Sequence, residues 1–253
     1  SRGLGDVYKR QAMFLLMLSK TKLRPTREDR RLDREILSET FTIGLPALGT
    51  TFVSCFGYIA FARMVSGMGT TIFAAHSIAI TAEQIVYIPG YGLRVATSTL
   101  VGNALGEKDI RKLKATERVS ILITLLIMVV NGIGLYLFAY PFMRLFTNSV
   151  NAARIGSEML RLVSFSEPFF GLMIVLEGIS YGMGRTKHVF ACEAVSMWGI
   201  RIFGTFLCVN VFGLGLKAVW LCMIADNICK AILLYIFRPK HVEENADDRG
   251  ELR

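Results

Sequence analysis

The chain has 253 residues, 53% of them hydrophobic, with a mean hydropathy of +0.46 and a net charge of +9. That hydropathy and the long apolar stretches behind it exclude an ordinary soluble domain. The Lys and Arg gather in short runs between those stretches and form no aromatic-laced patch, so the charge reads as membrane topology, not as a nucleic-acid surface.

Residues 1–11, SRGLGDVYKRQ, do not read like the rest and resemble a translated adapter read-through, so they are set aside as an artefactual leader. Residues 12–19 open with AMFLLML, only seven apolar residues where a span needs about 20. They are expected to be the end of a truncated helix, which makes the chain the second part of a longer protein. Residues 20–38 begin with seven basic residues from Lys20 to Arg34, a cytoplasmic linker that touches anionic lipid heads.

A six-helix transmembrane lobe is expected over 39–238, with spans at about 41–65, 71–105, 119–138, 159–183, 189–212 and 216–237. All six should be helical, because an unpaired backbone group in lipid costs several kcal/mol. Pro89, Gly90 and Gly92 are expected to kink the second span, and Pro168 the fourth. Loops rich in Lys and Arg, at 108–118, 185–187 and 238–240, alternate with sparse ones. That alternation places both ends in the cytoplasm and the protein in the plasma (inner) membrane. The connection 139–158, with Pro141, reads as a short surface helix whose Met143, Leu145 and Phe146 lie in the outer interface. The tail, 239–253, is polar.

Chemistry should sit where charge intrudes on the spans, since an Asp, Lys or Arg there costs about 2.5–3.5 kcal/mol and needs a partner or a wet cavity. The intruders are Glu83, Arg94, Glu167, Glu177, Glu193, Arg201, Asp226 and Lys230. Five acids against three bases favour a cationic cargo. Asp226 and Lys230, four apart, read either as a structural ion pair or as part of a binding site. Arg201 reads as holding a carboxylate of another helix, and a pair with Glu193, about 12 Å of rise away, is doubtful. Glu83, in the polar company of Thr81, Gln84 and Tyr87, either faces a cavity, where it attracts a cation or carries a proton, or is bonded to another helix. Glu167, before Pro168, is the second cavity candidate, ahead of Glu177. Tyr58, Tyr87, Tyr91, Met64 and Met173 either line a greasy pocket or simply pack.

No metal site or cofactor is expected: the five cysteines lie in apolar segments with no CxxC spacing and read as small buried hydrophobes. Without a phosphate-binding Gly loop or a Ser, His and Asp grouping, the chain does not read as an enzyme.

The run LVGNALGEKDIRKLK, with FAAHSIAITAEQIVYIPGYGL before it and RLVSFSEPFFGLMIVLEGISYGMGRTK, WGIRIF and VWLCMIADNICKAILLYIFR after it, resembles multidrug and toxic compound extrusion (MATE) transporters over roughly residues 36 to 240. The resemblance implies an all-α membrane protein with two six-helix lobes, of which this chain is the second. Its partners are then the missing N-terminal lobe, the bilayer, cationic or amphipathic small molecules and H⁺ or Na⁺. The sodium-coupled branch has an acid on the first span of this lobe, absent here from Ile43 to Gly69, and another where Phe170 stands. In SYGMGRTK, Tyr181 and Arg185 replace an expected Arg and Asp. Proton coupling, through an acid of the first lobe, is the expectation. Lipid-linked oligosaccharide flippases of the same superfamily, which would show more bases than acids in the cavity, and a non-transporting membrane scaffold are the alternatives.

Overall fold

The computed structural model describes residues 34 to 237. The expected leader, the helix stump, the linker as far as Asp33 and the tail lie outside the described residues. Seven helices follow one another: α1 Arg34–Ser66, α2 Thr70–Gly106, α3 Ile110–Phe146, α4 Val150–Ser164, α5 Glu167–Gly182, α6 Thr186–Val211 and α7 Leu216–Ile236. Arg34 to Ser38, expected in the linker, are already helical. Contacts divide the chain after Thr42; residues 34–42 are the first turns of α1, and Ile43 onward is one bundle.

By length and composition α1, α2, α3, α6 and α7 each suffice to cross a membrane. α4 and α5, joined by a bend of 60°, reach the same length and apolarity together, which makes six if the bent pair is one span. The bend has a cause in the sequence. Pro168 sits in the first turn of α5, where its missing N–H is no loss, and it cannot continue a helix from α4.

The 139–158 connection differs from the expectation. α3 runs on through Pro141 to Phe146, and after a short turn α4 starts at Val150 with the Ser149 hydroxyl accepting from the Ala152 amide at 3.3 Å. Met143, expected in the interface, is fully buried. Its side chain fills the space above Gly156, where a Cβ would stand 2.1 Å from the Met143 methyl. Ala152, Ala153, Met159, Leu160 and Val163 complete the buried face of α4, so this helix packs into the bundle.

Hairpin turns alternate between two ends of the bundle, and each end has its own core. At the α1–α2 end, Val65, Ala79, Met143, Leu160 and Trp220 pack together, with the Trp220 indole N–H donating to His76 Nδ1 at 3.2 Å. At the α2–α3 end, Tyr87, Val101, Met128, Phe170 and Ile174 do so. Residues with positive φ make the tight turns, Gly69 (109°) between α1 and α2 and Gly184 (71°) between α5 and α6.

Between α2 and α5 the two backbones touch. A Cβ on Gly178 would lie 2.7 Å from the Arg94 carbonyl oxygen, and one on Gly182 would lie 2.5 Å from that of Ser98. Both pairs are four residues apart, the small-residue spacing that lets helices approach most closely in lipid.

Candidate functional site

A cavity of about 590 Å³ opens among α1, α2, α5, α6 and α7. Its wall is amphipathic. Tyr58, Tyr91, Phe170 and Met173 supply the apolar area, and Thr50, Ser54, Ser98 and Thr99 supply hydroxyls. Five charged side chains complete it: Arg94, Glu177, Glu193, Arg201 and Lys230.

Those charges form two linked sets. Arg94 on α2 reaches Glu177 on α5 at 3.1 Å, beside the glycine seam that fixes both backbones. On the far wall, Lys230 of α7 contacts Glu193 of α6 at 2.6 Å and Asp226 at 4.0 Å. The guanidinium of Arg201 has its Nε 2.8 Å from Asp226 Oδ2, an ion-pair contact whose angle falls short of a hydrogen bond, and its Nη2 donates to Asn227 Oδ1 at 3.3 Å. The Ser196 hydroxyl donates to Asp226 Oδ1, and that of Ser54 donates to Glu193 Oε1 at 2.5 Å, tying α1 to α6. Arg201 also lies over the rings of Tyr58 and Phe61, at 5.5 and 5.8 Å. Asp226 is fully buried behind this wall, so no ion here is left without a counterion.

The Asp226–Lys230 contact suggested by their spacing is therefore the longest in its set, and the bonds across helices are shorter. Arg201 meets a carboxylate of a neighbouring helix and not Glu193. Part of α6 explains the geometry. Two π-helical stretches, Val195–Ile202 and Leu207–Val211, widen the helix between and beyond Glu193 and Arg201, so an ideal α-helical rise misplaces their side chains.

Glu83 and Glu167 do not line this cavity. Glu83 is buried and accepts the Tyr87 hydroxyl at 2.5 Å. Thr81 and Gln84, expected to share its polar face, are exposed on other sides of α2, because a helix turns them away from Glu83. Glu167 is fully buried at the start of α5, packed against Gly132 of α3, and neither of its oxygens has a hydrogen-bond partner. The bend at Pro168 thus carries Glu167 into the bundle and not into the open cavity. Glu83 and Glu167 act on each other electrostatically, and among the described residues neither has an ion-pair partner. Tyr87 lies between the two sites: it bonds Glu83, and its ring stacks on Phe170 of the cavity wall at 3.7 Å. Met64 does not reach the wall, and Cys55, expected buried, is exposed on it.

α2 remains one helix through Pro89, Gly90 and Gly92. Pro89 removes a donor from that turn, and the Asn131 side chain of α3 donates to the Val86 carbonyl there at 3.1 Å. Gly90 faces Phe170 and Met128, while Gly92 faces open space. Sequence reasoning located every charge of this site but missed Glu117, buried in α3 away from it, and Ser54, Ser196 and Asn227, whose small polar side chains carry no signal of their own.

A family model described as MatE matches residues 46–207. A probable multidrug resistance protein NorM of Thermotoga maritima is 30% identical over 201 residues, 79% of this chain and 43% of that protein. Its counterpart in Photorhabdus laumondii is 28% identical over 229 residues, 88% of this chain and 51% of that one. Among solved structures, a MATE protein in the straight conformation superposes with a TM-score of 0.83 at 21% identity, over 93% of this chain and 53% of the other. The chain thus spans about half the length of the curated relatives it matches. With the match to the family model covering most of the helical bundle, this chain belongs to the MatE family, a family of membrane transporters.

Proposed function

We propose that this chain is the second lobe of a secondary antiporter that exports amphipathic compounds in exchange for H⁺, with a first lobe facing it across the cavity. The cavity carries this reading. It is large enough for a drug-sized molecule, combines aromatic walls with hydroxyls and fixed charges, and lies among helices long enough to span a bilayer. A lobe holding half of a mid-membrane site suits the repeat architecture of alternating-access transporters. A scaffold needs no such space.

The coupling site in this lobe is the pair Glu83 and Glu167. Glu167 is buried with no cation against it and Glu83 has only the field of Arg201, itself paired with Asp226, so the two must be neutralised, by a proton or by an ion drawn from solution. Phe170, which stacks on Tyr87, stands where the sodium-coupled branch has an acid, and this favours the proton over Na⁺. Tyr87 links this site to the cavity through Phe170, so cargo against the Phe170 ring presses on the residue that bonds Glu83.

The charge of the cargo does not follow from the five-to-three excess of acids. Glu83, Glu167 and Asp226 are absent from the wall, which carries two acids and three bases. Cationic cargo therefore loses its sequence argument, and amphipathic character is what the wall supports.

In proteoliposomes of the whole transporter, an imposed pH gradient without Na⁺ is expected to drive uptake of a fluorescent amphiphile. Glu83→Gln is expected to cut that rate at least about tenfold. Full-rate transport driven by a Na⁺ gradient alone would sink the proton reading. No transport under either gradient would sink the antiporter.

A further inference from the structure

We propose that the cavity is an anion-accepting site, taking planar aromatic compounds that carry a carboxylate or sulfonate, with Arg94 as the group that binds the acid. The inference rests on the cavity being a cargo site and adds its polarity.

Most of the charges on the wall are already engaged with one another. Both oxygens of Glu193 are occupied, one by Ser54 and one by Lys230. Asp226 lies behind the wall with Ser196 on one oxygen and Arg201 on the other. Lys230 and Arg201 are held against these carboxylates, with side chains only 8% and 5% exposed. On this side of the cavity the charges face one another, and almost none of their surface faces an incoming ion.

Arg94 is different. Its side chain is 33% exposed, against 9% for its partner Glu177. Among the described residues it gives one bond, from Nη1 to Glu177 Oε2, so most of its five N–H donors have no protein acceptor. A guanidinium with free donors matches a carboxylate or sulfonate two bonds at a time. A cation would have to settle beside Arg94 to reach the one oxygen of Glu177 that is not bonded to it.

Aromatic surface stands next to the same group. The Arg94 guanidinium lies 5.4 Å from the Tyr91 ring centroid, and the Tyr91 ring meets Phe170 edge-on at 6.1 Å. An aromatic ring resting on Phe170 and Tyr91 would present an acid substituent to Arg94, while Ser98 and Thr99, on the same wall, offer hydroxyl donors.

The test uses three probes of one shape on the whole transporter in lipid nanodiscs, with binding to empty discs subtracted: 2-naphthoate, neutral 2-naphthamide and 2-naphthyltrimethylammonium. Naphthoate is expected to bind on the order of tenfold more tightly than naphthamide, with the ammonium weakest. Glu177→Gln, which releases Arg94, is expected to tighten naphthoate a further few-fold, whereas a cation site would weaken. Arg94→Gln should abolish the preference, and Arg94→Gln with Glu177→Gln should do the same while leaving no unpaired charge behind. Tightest binding of the ammonium, or a Glu177→Gln variant no better for naphthoate, overturns the polarity while the cavity stands. If none of the three binds, the cavity is not a cargo site and the proposed function falls with the inference.

Discussion

Removing Arg201 would leave Asp226 fully buried with Ser196 on one oxygen and Lys230 4.0 Å from the other. An uncompensated charge of this kind costs about 3–5 kcal/mol, far more than the pair itself contributes. Arg201→Met is therefore expected to lower the thermal midpoint in detergent sharply, and Arg201→Met combined with Asp226→Asn should restore much of it. If the double variant were as unstable as the single one, the contact would matter through shape and not charge. The cost of charge in a span made each of these residues visible in the sequence. Their pairing was not, because Arg94 and Glu177 are 83 positions apart and Ser54 and Glu193 are 139 apart. Only Asp226 and Lys230 had a spacing that suggested a contact, and theirs is the weakest of the set.

At the scale of helices, the α2–α5 seam and the open glycines make opposite predictions from the same substitution. Gly182→Ala drives a methyl into the Ser98 carbonyl, and Gly178→Ala drives one into that of Arg94. Overpacking against backbone has no flexible side chain to yield, so each is expected to cost about 1–3 kcal/mol. Gly92→Ala meets nothing within 4 Å and should be neutral or stabilising by up to about 1 kcal/mol, since Ala is the better helix former. Thermal midpoints from size-exclusion of heated samples would rank the three, and a destabilised Gly92→Ala would restore that glycine as a needed hinge. Helical class and five of the spans were legible because apolar length reports them directly. The α4–α5 bend lies where Pro168 announced a kink, but the run of α3 through Pro141 was not legible. A proline marks a possible break in either case, and whether the chain turns there depends on which face packs: Met143 over Gly156 holds α3 in the bundle, while Pro168 opens a new helix.

For the whole molecule, the alternation of basic and sparse turns predicts sidedness. In a cysteine-free background, a membrane-impermeant maleimide added outside intact cells is expected to label Lys217→Cys and to leave Lys112→Cys unlabelled until the cells are opened; the reverse pattern would invert the topology. Arg94 and Glu177 stand beside a seam where two helices meet backbone to backbone, so the root of the cavity's accessible charge is anchored by a contact that has no side chain to vary. A lineage changing its diet of compounds cannot slide these helices to retune the site. It must rewrite the two side chains. A saturation library should accordingly show Gly178 and Gly182 closed to almost every letter, and the neighbouring pair at 94 and 177 as the positions where new resistances are selected.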